Sequence, residues 1–150
     1  QTQDVILKKL IDETLVLLKN DLMNNKIEIS IICKQEKSVN LIANEFKHVL
    51  INLINNAKDA FVENKVKDRK IDINIYDEDN NIIVNVQDNA GGIPSNIMPN
   101  IFEAHVTSKE EGKGTGIGLY MSRMIIEKIG GTLDVVNTND GACFTISLNR

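Results

Sequence analysis

Gly112-Lys-Gly-Thr-Gly-Ile-Gly118-Leu119 decides how the rest of this chain is read. Glycine stands at every second position, directly ahead of a segment with helical spacing over 119–128. Alternating glycines remove alternating side chains, so the backbone can take positive φ and its N–H groups can close on a ligand. A helix start just downstream adds partial positive charge and free N–H donors. The combination suits a polyphosphate; a flexible glycine loop is the other reading of the run alone. Two common nucleotide patterns are excluded. A Walker loop would need glycine where Thr107 stands, and a dinucleotide fingerprint would need it at Ile117, Leu119 or Met121.

Around this run lies a chain of 150 residues, long enough for one domain with a substantial core. At 42% hydrophobic and 25% charged residues it has globular rather than disordered composition. A net charge of −4 argues against a nucleic-acid surface. No apolar run has the length of a membrane span, so no membrane contact is expected of this domain. Cys33 and Cys143 form no Cys-x-x-Cys pair and read as buried thiols in a reducing, cytoplasmic setting. Beginning at Gln1, the chain reads as a piece of a longer protein, whose membrane anchor, if any, lies elsewhere. The abundance of asparagine, isoleucine and lysine carries no mechanistic reading.

Apolar periodicity predicts an amphipathic helix over 4–23, a strand over 26–33 and a long helix over 42–62. Strands over 71–76 and 82–87 flank the polar turn 77–81, an antiparallel hairpin. A glycine-rich loop over 88–94, a short helix over 96–102 and a polar lid over 104–114 follow. A helix over 115–129 ends at Gly130-Gly131, and strands over 132–137 and 143–148 close on the turn 138–141. These elements predict an α/β (α+β) sandwich. Its mixed, mostly antiparallel sheet has about five strands, with three main helices on one face and the other face partly wet.

The long helix has two faces. Phe46, Val49, Leu50, Leu53, Ala57 and Ala60 follow core spacing, while His48, Asn52, Asn56 and Asp59 form a polar stripe. A solvated face is the plain reading of such a stripe, yet neutral amides serve solubility poorly. An asparagine carbonyl is a hard oxygen ligand suited to Mg²⁺, which shares its shell with waters and phosphates. Farther on, Val86-Gln-Asp88-Asn-Ala-Gly-Gly-Ile-Pro94 ends a strand with an acid and then two glycines. A carboxylate fixed there could accept a hydrogen bond from the exocyclic amine of adenine and would repel the guanine carbonyl. An Asx turn explains the same residues without a ligand.

Taken in order, Asn52-Leu-Ile-Asn-Asn56-Ala, Asp88-Asn-Ala-Gly-Gly92-Ile, Ile101-Phe-Glu-Ala-His-Val-Thr-Ser-Lys109 and the Gly112–Leu119 run make a set. It resembles the catalytic and ATP-binding domain of sensor histidine kinases over nearly the whole chain. That domain has the Bergerat ATPase fold shared with type II topoisomerases, the large heat-shock chaperone and mismatch-repair ATPases. The resemblance implies ATP and Mg²⁺ as cofactors. Asn56 would hold the metal, with Asn52 supporting it one turn earlier and Asp59 and Ala60 beside the nucleotide. Asp88 would read adenine between Gly92 and Ile93, and Phe102 would be the gripping aromatic. Thr107, Ser108, Lys109, Gly112, Lys113, Gly114, Thr115, Gly116, Ile117, Gly118 and Leu119 would cover the triphosphate.

Four departures from the family pattern stand out. Ala90 replaces a frequent glycine. Asp59 stands where a cation is usual, leaving that role to Lys109 or Lys113. Cys143 stands where a Thr or Ser backs the adenine, and His105 and Val106 replace bulkier residues. Hydrolysing members of the superfamily carry Glu where this chain has Asn52, and an amide cannot serve as general base. The expected reaction is therefore transfer of the γ-phosphate, with Asn52, Asn56 and Lys109 at the reacting end. The acceptor would be a histidine on a dimerisation and phosphotransfer domain outside this chain, since neither His48 nor His105 has the setting of an acceptor. A response regulator would follow downstream. A serine kinase of the anti-sigma or mitochondrial type, a nucleotide-binding module without transfer, and a hydrolase using Glu45 or Asp59 are the alternatives.

Overall fold

The computed structural model describes residues 1–35, 37–104 and 118–149. Residues 3–5 and 39–41 form a short antiparallel pair, β1 (Gln3–Val5) with β3 (Val39–Leu41), separate from the main sheet. Between them come α1 (Leu7–Leu17), α2 (Lys19–Asn24) and β2 (Ile27–Cys33). Then follow α3 (Ala43–Glu63), β4 (Arg69–Glu78), β5 (Asn81–Asp88), a 3₁₀ turn at Met98–Asn100, α4 (Gly118–Lys128), β6 (Thr132–Asn137) and β7 (Ala142–Asn149). The main sheet is five-stranded in the order β2-β4-β5-β7-β6. Only β2 and β4 run parallel; the remaining pairs are antiparallel.

Alternation along the strands, with Ile83 of β5 buried as an exception, explains the layering. Ile71, Ile73 and Ile75 of β4, Val84 and Val86 of β5, and Phe144, Ile146 and Leu148 of β7 are buried on one face. Onto that face α3 lays Phe46, Val49, Leu50, Leu53, Ile54, Ala57 and Phe61, all buried. The opposite face is more open, Ile83 apart, and carries a polar chain instead. Thr145 Oγ1 donates to Asn85 Oδ1 (2.8 Å), and Asn85 Nδ2 donates to Tyr76 Oη (3.3 Å). Phe46→Ala, which empties the centre of this core (1% exposed), should cost about 3–5 kcal/mol. A fall in the urea midpoint with an unchanged slope would show it.

Several sequence expectations are corrected. The predicted helix over 4–23 is a strand followed by two helices, broken at Leu18 (ψ 1°). Leu15 through Leu18 are consecutive apolar residues that no single helical face can bury. The break sends Leu18 and Leu22 inward and leaves Val16 and Leu17 exposed. Residues 3–5 are extended because β3, which the sequence reading missed, offers a partner. The short helix expected over 96–102 is one 3₁₀ turn. The hairpin strands run on to Glu78 and Asn81, tightening the turn around Asp79 at positive φ (55°). Both cysteines are half-buried free thiols rather than buried ones.

Candidate nucleotide site

A cleft of about 580 Å³ opens where the C-terminal half of α3 meets the loop that follows β5. Its walls include Asn56, Ala60 and Asn64 on one side and Gly92, Ile93 and Ile101 on the other. Helical spacing accounts for the first wall, since positions 56, 60 and 64 recur every four residues. Ala60, assigned by spacing to the core, is half-buried and lines this cleft. Asn56 makes no side-chain hydrogen bond among the described residues, so its amide is uncommitted.

Asp88 ends β5 at the edge of this region and is nearly buried (7% exposed). Its Oδ1 accepts from the backbone N–H of Ala90 (3.0 Å) and of Ala142 (3.2 Å). Oδ2 accepts no hydrogen bond among the described residues. Burial pushes the carboxyl above the ordinary aspartate range, aided weakly by the nearby Asp140 charge and opposed by the two backbone donors. Gly141 lies hard against it: a Cβ there would stand 2.8 Å from Asp88 Oδ1 and closer still to the Asp88 carbonyl.

The loop itself is pinned by asparagines from three directions. Asn64 Nδ2 donates to Ala90 O (2.6 Å). Asn89 accepts from Lys70 N (2.9 Å) and donates to Asp68 O (2.7 Å), tying the loop to the start of β4. Asn137, the last residue of β6, accepts from Ile93 N (2.8 Å) and donates to Ile93 O (2.9 Å). Gly91 and Gly92 take positive φ (99° and 80°), which glycine adopts without strain. The sequence reading passed over Asn64, Asn89, Asn137 and Gly141, because an asparagine's partners depend on what the fold brings near it.

The predicted polar stripe of α3 is divided by its surroundings. His48 is exposed beside Met121 and Met124 of α4, in a separate groove. Asn52 Nδ2 donates to Gly118 O (3.3 Å) and to Ser122 Oγ (3.0 Å), so it anchors the first turn of α4. Asp59 is half-buried on the same helix. Phe102 meets Phe144 edge to face (6.3 Å, 89°) and lies under the Arg123 guanidinium, 4.4 Å from the ring centre. Arg123 is held in turn by Asp134 at 3.1 Å. Gly118 and Leu119 open α4. Thr107, Ser108, Lys109, Gly112, Lys113, Gly114, Thr115, Gly116 and Ile117 lie outside the described residues, as do His105 and Val106.

One assignment is corrected by strand parity. Cys143 pairs with Gln87 across the ladder and shares the wet face with Thr145, 4.0 Å from its sulfur. Asp88, one residue on from Gln87, points to the helix side. The β7 residue beside the Asp88 carboxylate is Ala142, which is buried (4% exposed). Burial raises the Cys143 thiol pKa, outweighing the Thr145 hydrogen bond.

The donor set fits the nucleotide and its metal. Mg²⁺ takes few protein ligands and fills its shell with phosphate oxygens and water, so the uncommitted amide at the cleft is a compatible oxygen donor beside the phosphates. A near-buried carboxylate with a spare oxygen is an acceptor for a base amine. Matching residues 42–150 is a family described as "Histidine kinase-, DNA gyrase B-, and HSP90-like ATPase". The chain belongs to that family.

Within it, the chain is a histidine-kinase ATPase domain of the two-component sensor type. It is 37% identical over 109 residues to the two-component sensor PprA of Pseudomonas aeruginosa, covering 71% of this chain and 12% of that protein. Sporulation kinase A of Bacillus subtilis is 36% identical over 146 residues, covering 96% of this chain and 23% of its own length. The chain therefore spans under a quarter of these relatives. The catalytic domain of histidine kinase ThkA superposes with a TM-score of 0.85 at 29% identity, covering 99% of this chain and 95% of that one. The five-stranded sheet with three main helices is the fold of this family, as the sequence reading expected. No helix among the described residues is long and apolar enough to cross a membrane.

Proposed function

We propose that this domain binds Mg-ATP in the cleft between α3 and the β5 loop and donates the γ-phosphate to a histidine on a separate dimerisation domain. The observation that carries the reading is the meeting of unlike groups around one cleft. An uncommitted amide, Asn56, stands on one wall, two left-handed glycines form the other, and the half-satisfied Asp88 carboxylate ends the adjoining strand. Asn56 would hold Mg²⁺, which neutralises charge on the transferring phosphate. Asp88 Oδ2 would accept the adenine amine, with the Gly92 and Ile93 backbone against the base. Thr107, Ser108, Lys109 and the glycine run ending at Gly118 would cover the phosphates, with Lys109 or Lys113 supplying the cation.

What stands in place of the general base supports transfer rather than hydrolysis. Asn52 has no basicity, and its amide is spent on Gly118 and Ser122. Glu45 pairs with Lys128 at 2.8 Å and lines the separate groove near His48. With little covalent chemistry to perform, the domain would act by placing the γ-phosphate in line with its acceptor. A response regulator is the partner proposed to receive the phosphate next; histidine kinase ThkA has been solved with the response regulator protein TrrA, at a TM-score of 0.79 and 26% identity to this chain.

Radiolabelled ATP with a dimerisation domain supplied in trans should label that domain's histidine and leave this chain unlabelled. Steady phosphate release with no label on the acceptor would replace this reading with a hydrolase. Asn56→Ala should remove the Mg²⁺ dependence of ATP binding, leaving affinity at the metal-free level, about tenfold or more weaker. Calorimetric titration with and without Mg²⁺ measures it.

A further inference from the structure

Asn137 meets both polar groups of one residue. Its side chain accepts from Ile93 N (2.8 Å) and donates to Ile93 O (2.9 Å), as a neighbouring strand would. It is the last residue of β6, the edge strand, so the loop wall of the cleft hangs from the rim of the sheet by this amide. Gly92 is fitted to it: a Cβ there would stand 3.0 Å from Asn137 Oδ1 and 3.3 Å from Gly141 O. Gly91 stands in the same relation to Asn64, with a Cβ 3.2 Å from Nδ2. The neighbours that crowd these glycines are therefore protein atoms.

We infer that Asn137 is a positioning residue of the nucleotide site, holding the Gly92–Ile93 wall in the shape that takes the flat face of a purine. Gly92 is its matched packing partner. The inference rests on the nucleotide reading above. Pro94 restricts the backbone of Ile93 from the C-terminal side only; the two residues before it are glycines with wide conformational freedom, so its approach to the cleft is not fixed covalently. Without the clamp its N–H and C=O would bond to water equally well, so the fold would lose little. Gly91 N–H would still donate to Asp140 O (2.9 Å), so the wall would lose its hold at Ile93 alone, and ligand binding would have to order that residue again.

The test titrates wild type, Asn137→Ala, Asn137→Asp, Gly92→Ala and the Asn137→Ala/Gly92→Ala double variant with Mg-ATP and Mg-GTP. Thermal unfolding and amide exchange at Ile93 are read alongside. Asn137→Ala should weaken Mg-ATP binding about tenfold, lower the ATP-to-GTP preference and unprotect the Ile93 N–H, with little change in unfolding temperature. Asn137→Asp should do no better, since its carboxylate faces the Ile93 carbonyl. The Gly92→Ala penalty should shrink in the Asn137→Ala background, the mark of direct coupling. Wild-type affinity, preference and Ile93 protection in Asn137→Ala would overturn the inference. If wild type binds neither nucleotide, the nucleotide reading itself fails and takes the inference with it.

Discussion

Asp88→Asn is expected to weaken Mg-ATP binding about 100-fold, roughly 2.7 kcal/mol, and to erase the preference for ATP over GTP. The asparagine carbonyl can still accept from Ala90 N and Ala142 N, so the backbone around it stays bonded. The changed atom is the outer one: an NH₂ there faces the adenine amine donor to donor. Stability should move the other way. Asp88's folded pKa is raised, mainly by burial, so the folded state binds its proton more tightly than the unfolded state does. Stability from this group is therefore highest at low pH. It declines as pH rises from the ordinary aspartate value through the raised one, and the cost persists at neutral pH. Removing the charge should leave the ligand-free domain as stable at pH 7 as wild type, or more so. Nucleotide binding in the wild type should fade on acidification at a pH above that of an ordinary aspartate. Thermal unfolding and titration across pH read both effects, and a destabilised variant with intact ATP preference would contradict the assignment.

Gly141→Ala should damage fold and site together. The new Cβ would collide with the Asp88 carbonyl and stand 2.8 Å from its carboxylate, with no flexible side-chain end to yield. Overpacking of this kind costs about 3 kcal/mol at its upper range, a large share of a typical domain's stability. Relief requires β7 to move off β5 at the pair that holds Asp88, so Ala142 N would leave Oδ1. Urea unfolding should show the loss of stability, and titration the loss of Mg-ATP binding. A variant as stable as wild type would mean that the turn before β7 is looser than its geometry here.

Long periodic elements were legible in the sequence. The span of α3 differs by one residue at each end from the expected helix, and the strands from β4 to β7 follow their alternation closely. Asn56, Ala60, Gly92 and Ile93, chosen from motifs far apart in the chain, do meet in one cleft. Where reading failed, the cause was a partner supplied by the fold. β1 and β3 are three-residue strands that exist through each other, and neither has a pattern of its own. Leu15 to Leu18 looked helical because counting apolar residues does not show that one face cannot hold four in a row. Cys143 was a different kind of error, since the evidence was present. Phe144, Ile146 and Leu148 alternate toward the core, and parity alone sends Cys143 outward with Thr145 and Ser147. The asparagines dismissed as compositional turn out to hold the site loop, and no rule of spacing announces that.

The strands that carry Asp88 and Ala142 have hydrogen-bonded neighbours on both sides, β4 and β7 for β5, β5 and β6 for β7. Such interior strands belong to the last cooperative unit of a domain to open. Asp88, the proposed base reader, is thus bolted to the stiffest part of the molecule. On the proposed function, traffic of nucleotide in and out would be governed by what hangs from that frame, so exchange rates could be tuned without touching the strand that carries Asp88.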